Sequence, residues 1–98
     1  MTSVEVEVRN ESGLHARPAA AFVRTAIGFS SVVRVENVTL GRPAANAKSL
    51  VGVLGSAVEK GHRVRISAEG SDEKGAVDAL GSLLLAMSGT GGEAGDAQ

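Results

Sequence analysis

With 98 residues and a net charge of −1, the chain is expected to form one compact domain without general affinity for nucleic acid. Its only aromatic side chains are Phe22 and Phe29, which gives no platform for stacking bases. It has no cysteine for disulfides or thiolate metal sites, and no run of about eighteen apolar residues to span a bilayer.

In chain order, Val4, Val6 and Val8 alternate with Glu5, Glu7 and Arg9, the pattern of a half-buried strand. The same alternating acids are unlike a secretory signal, so a cytoplasmic location is expected. Residues 10–14 read as a loop. A helix is expected over 16–27, because Ala19, Phe22, Val23 and Ala26 recur at helical spacing, and Gly28 is its stop. Val33 and Val35 alternate with Arg34 and Glu36 in a second strand. The segment 36–42 turns the chain into a short third strand near 42–46, and 49–56 reads as a short helix. Gly61 opens a fourth strand with Val64 and Ile66 inward. The last helix covers about 72–87, with Val77, Leu80, Leu84 and Met87 on one face and Asp72 and Glu73 in its first turn. Residues 88–98 are poor in apolar side chains and are expected to be a flexible, acidic, glycine-rich tail, which leaves 1–87 as the domain.

The order is therefore β-α-β-β-α-β-α. Strands with one valine face and one charged face call for an antiparallel sheet that is wet on one side. Helices with single apolar stripes cover the other side. The expected fold is an open-faced β-sandwich of the α/β (α+β) class, a four-stranded antiparallel sheet with its helices on one face.

The segment GLHARPAAAFV (13–23) carries the chemistry. Pro18 suits the first turn of a helix, which places His15 at or beside the N-cap. A helix start offers unpaired N–H groups and about half a positive charge. Arg17 adds a permanent planar cation. An imidazole, an anion site and a fixed charge thus fall within three residues, a suitable place to hold a phosphoryl group on a ring nitrogen. From this chemistry alone, His15 reads either as such an acceptor or as an ordinary surface residue at a helix start. His62, beside Arg63 in a strand, reads as a surface residue.

The same segment resembles, nearly residue for residue, the active-site segment of HPr, the histidine-containing phosphocarrier of the bacterial sugar phosphotransferase system. The similarity continues in GFSS (28–31), AKSLVGVLGSAVEKG (47–61) and VRISAEGSDEKGAVDAL (64–80), and covers about residues 4–87. The resemblance implies a carrier rather than an enzyme, with His15 as phosphoryl acceptor through Nδ1 and Arg17 as its charge partner. It implies that the backbone amides of Ala16 and Arg17 cradle the phosphoryl oxygens and that Ser12 orients the loop. Phosphorylated Enzyme I would be the donor and the A domains of Enzymes II the acceptors, in sugar uptake, with no metal or cofactor and with the chain a monomer. Serving dihydroxyacetone phosphorylation or a nitrogen-type regulatory branch is the alternative within the same family.

Lys48-Ser49-Leu50 resembles the segment that holds the family's regulatory serine. Ser49 also reads as a plain N-cap, with its hydroxyl in reach of the Val51 or Gly52 amide. Phosphorylation there, by an HPr kinase/phosphorylase, would put negative charge on the docking rim and would bring in a transcriptional regulator as a further partner. The docking face is expected to comprise Ala20, Arg24, Lys48, Leu50, Val51 and Leu54, with at least one of Leu50 and Leu54 in the core. Three departures from the family stand out. The 36–46 connection is about three residues longer than usual, Ile27 replaces a basic side chain, and Gly52 replaces a lysine. A regulatory HPr-like protein without carrier activity would lack His15. An RNA-binding sandwich would need strand aromatics and a basic face, which are missing.

Overall fold

The computed structural model describes residues 1–9, 13–14 and 16–90. The elements are β1 (Thr2–Glu7), α1 (Ala16–Ile27), β2 (Val32–Asn37), β3 (Ala45–Asn46), α2 (Leu50–Gly55), β4 (Arg63–Glu69) and α3 (Glu73–Thr90). Their order and kind are those read from the sequence. The four strands form one sheet in the order β1-β4-β2-β3, and every pairing is antiparallel. Register is set by the valines: Val4 faces Ile66, Val6 faces Val64, and Val35 faces Ile66 from the other side. A slip of one residue would turn this set to solvent.

The core lies between the inner sheet face and the helices. Ala19, Phe22, Val23 and Ala26 of α1 are all buried, as are Val77, Leu80 and Leu84 of α3, so both predicted stripes face inward. Met87 is half-buried against them. The open sheet face carries charge. Arg65 lies between strands and pairs with Glu5 at 2.8 Å and Glu36 at 3.1 Å, and hydrogen bonding to Glu5 raises its pKa further.

Three local expectations change, and two fall on residues that are not described. β3 is only Ala45–Asn46, because Pro43 and the preceding turn keep the chain out of register until then. α3 runs to Thr90, three residues past its expected end, with no proline to stop it. Residues 91–98 of the expected tail, and 10–12 of the first loop, lie outside the described residues. Neither Leu50 nor Leu54 enters the core. They are 42% and 40% exposed, and Val53 is the fully buried residue of α2. A helix of six residues turns a single narrow face inward, and the Ser49 cap sets its phase on Val53.

Candidate functional site

The start of α1 is fixed from the residue before the loop closes on it. Gly13 adopts φ +58°, the left-handed region that suits glycine. It is also packed against backbone: an added Cβ would overlap the Val58 carbonyl and lie 2.7 Å from Glu59 Cα. Leu14 is buried, and its amide donates to the Val58 carbonyl at 3.0 Å. These two residues seat the chain on the α2–β4 connection immediately before the helix begins at Ala16. His15 and Ser12, the expected acceptor and loop-orienting residue, lie outside the described residues. Ala16 is the first helical residue, and Arg17 follows it, exposed.

From Arg17, the positions Ala20, Arg24 and Ile27 recur along one strip of α1. Ala20 is half-buried, while Arg24 and Ile27 are exposed. α1 packs against α2, whose exposed large apolar side chains are Leu50, Val51 and Leu54. Val51 is the most open, at 81% exposure. No Asp or Glu occurs between Ser12 and Val35, or between Asn37 and Val58. The helical face therefore carries cations and apolar side chains without acids of its own.

Ser49 caps α2 as expected. Its backbone is extended, and its hydroxyl accepts from the Gly52 amide at 3.1 Å. Lys48 differs from a free docking cation. Its Nζ donates to the Phe29 carbonyl at 2.7 Å, at the C-terminal end of α1, where carbonyls lack helical partners and the dipole favours a positive charge. Lys48 thus ties the α2 cap to the far end of α1.

Other polar ties join parts of the chain that are distant in sequence. Asp72 accepts from the backbone and hydroxyl groups of Ser30 and Ser31, just after α1. The Ser31 hydroxyl, then the Ser30 amide, hold its carboxyl below its ordinary 3.8, at about 2. Glu73 accepts from the Thr2 hydroxyl at 2.6 Å and the Gly70 amide at 3.1 Å, which also lowers its pKa. Asn37, fully buried, donates to the Ser56 carbonyl at 2.9 Å and to His62 Nδ1 at 3.1 Å. His62 Nδ1 also accepts from the Glu59 amide, which requires the proton on Nε2. His62 is therefore half-buried and structural, not the plain surface residue its neighbours suggested. Among the described residues, no group of three His, Asp or Glu could hold a metal, and no helix is long and apolar enough to cross a membrane.

The described residues thus form an open-faced sandwich that seats one helix start beside a helical face whose α1 and α2 residues include no acid. Comparison with known proteins makes this specific. Residues 2–85 match the family model described as the PTS HPr component phosphorylation site. The phosphocarrier protein HPr of Haemophilus influenzae is 44% identical over 84 residues, covering 86% of this chain and 95% of that protein. The multiphosphoryl transfer protein of Salmonella typhimurium is 44% identical over 90 residues, which cover 91% of this chain. The chain spans only 24% of that longer protein. The crystal structure of HPr from Thermoanaerobacter tengcongensis, 44% identical, superposes with a TM-score of 0.85 over 96% of this chain and 100% of that one. The chain belongs to the HPr phosphocarrier family of the phosphotransferase system.

Proposed function

We propose that the chain accepts a phosphoryl group on His15 from phosphorylated Enzyme I and passes it to the A domains of Enzymes II in sugar uptake, acting as a monomer. The observation that carries this reading is the start of α1, seated by Gly13 and Leu14 at the edge of a face to which α1 and α2 contribute cations and no acid. In the transfer, His15 Nδ1 forms a bond to phosphorus as the donor's bond to phosphorus breaks, so the group moves without hydrolysis. The new charge, about −1.5 to −2 by analogy with phosphorylated hydroxyls, lies at the positive end of α1. The Ala16 and Arg17 amides receive its oxygens, the Arg17 guanidinium offsets its charge, and Ser12 orients the loop. An exposed helix end contributes only ~0.3–1 kcal/mol to an anion, so the phosphorylated state is no deep well. That suits a carrier, which must release what it accepts.

Partners meet Ala20, Arg24, Ile27, Leu50, Val51 and Leu54, with Ser49 at the rim. Phosphorylation of Ser49 would add negative charge there and oppose acidic partners. The test is incubation with purified Enzyme I and phosphoenolpyruvate. The reading expects one acid-labile, base-stable phosphate per chain and its loss on addition of an Enzyme II A domain. A chain that stays unlabelled under conditions that label a known HPr would overturn it.

A further inference from the structure

The β2–β3 connection, residues 38–44, is a built turn. The Gly41 amide donates to the Val38 carbonyl, and the Leu40 amide to Asn37 Oδ1, each at 3.1 Å. The Arg42 amide reaches the Asn37 carbonyl at 3.3 Å, and Thr39 Oγ1 accepts from the Arg63 amide at 2.7 Å. Asn37 also donates to the Ser56 carbonyl at the end of α2. One buried side chain thus fastens this turn and the end of α2 to each other.

Between them opens a groove of ≈ 280 Å³, lined by Arg42, Pro43, Ala45, Gly52, Gly55 and Ser56. Of its two α2 glycines, Gly52 is packed against β3, where an added Cβ would lie 3.1 Å from the Asn46 carbonyl oxygen, while at Gly55 an added Cβ would meet nothing within 4 Å. Four residues on from Val51, Gly55 lies only about 40° further round the helix. The groove is therefore continuous with the exposed Leu50–Val51–Leu54 rim. Arg42 at its edge is exposed, and neither α2 nor the 38–44 turn contributes an acid.

We propose that this groove is the second half of the docking surface. It takes a carboxylate-bearing segment of the protein partner whose apolar residues cover Leu50, Val51 and Leu54, and Arg42 selects for that partner. The inference rests on the carrier reading above. A guanidinium binds a carboxylate through two parallel hydrogen bonds. The open space at Gly55 admits the methylene stem behind that carboxylate. The walls are already fixed by Asn37, so docking need not order them.

The test measures KM and kcat of this chain as substrate for phosphorylated Enzyme I, in the parent and in Arg42→Ala, Arg42→Glu, Arg42→Lys and Gly55→Leu, with thermal midpoints for each. KM is expected to rise about threefold for Arg42→Ala and about tenfold for Arg42→Glu, with kcat within about twofold of the parent. Arg42→Lys should recover part of the loss, because it keeps the charge and loses the fork. Gly55→Leu should raise KM at full charge by filling the groove. KM values for Arg42→Glu and Gly55→Leu within about twofold of the parent would overturn the inference and leave the carrier reading standing. A parent chain that accepts no phosphate would overturn both. Saturable shifts of the Arg42, Gly52 and Gly55 amide resonances with inorganic phosphate alone would also overturn it, since the groove would then hold a free anion.

Discussion

Replacing Gly13 by Ala should disturb the chain far more than the size of a methyl group suggests. At φ +58° an L-residue is disfavoured by ~1–2 kcal/mol, partly offset by ~0.4–1 kcal/mol from a less flexible unfolded chain. The added Cβ also overlaps the Val58 carbonyl, the acceptor of the Leu14 amide. Moving these strands of chain apart sacrifices that hydrogen bond, worth ~1 kcal/mol, and unseats the buried Leu14, worth ~1.5–3 kcal/mol when fully lost. The sum is a destabilisation of ~2.5–5.5 kcal/mol with Leu14 fully unseated, and falls toward ~2 kcal/mol where Leu14 is only partly displaced. Gly41 provides the control. Its φ is +66°, yet an added Cβ would meet nothing within 4 Å. Gly41→Ala should therefore cost only the backbone term, ~0–1.5 kcal/mol. Urea denaturation of both variants reads the difference. With a slope of ~1 kcal/mol per M, the Gly13→Ala midpoint should fall by roughly 2 M or more and the Gly41→Ala midpoint by about 1.5 M or less. Equal shifts for the two variants would refute the close-approach argument, and with it the claim that Gly13 seats the start of α1.

Ser49→Ala should lower stability by ~0.5–2 kcal/mol through loss of the cap, while Ser49→Asp should keep the cap yet slow labelling of His15; an Asp variant as fast as the parent would leave Ser49 a cap alone. Arg17→Ala should change stability by less than ~0.5 kcal/mol but reduce the rate of phosphoryl transfer well beyond that, and unchanged transfer would remove Arg17 from the site. Asp72 is held at about 2 in the folded state, below its ordinary 3.8, so its contribution is present above the higher value and lost as pH falls through the lower. Chemical denaturation across about pH 4 to pH 2 should therefore show a steeper loss of stability in the parent than in Asp72→Asn, and parallel curves would contradict the assignment.

The strands and long helices were legible because their burial follows a local period. Val4, Val6 and Val8 alternate, and Ala19, Phe22, Val23 and Ala26 recur along one face, so neighbours in sequence already report which side is covered. Pro18 and Ser49 carried the helix starts in the same local way. The segment LVGVLG offered no such contrast. Every position is apolar or glycine, so the sequence could not show that Val53, not Leu50 or Leu54, faces the core. The ties that hold the site also went unread, because each joins distant parts of the chain: Asp72 to Ser30 and Ser31, Lys48 to Phe29, Asn37 to Ser56 and His62. A polar residue announces that it needs a partner, and only the folded chain says which one. Gly13 is the exception with a usable signal, a glycine directly before a buried leucine and the GLHARP segment, and its positive φ emerges only from the packing of Val58 and Glu59 against it.

The most direct measurement is the location of the phosphate after incubation with Enzyme I and phosphoenolpyruvate, read by mass spectrometry under base-stable conditions for the parent and for His15→Ala. The account predicts a single phosphate on His15 of the parent that is lost to an Enzyme II A domain, and a folded His15→Ala chain with none. Full labelling of His15→Ala, or a parent phosphate found on His62 instead, would contradict it.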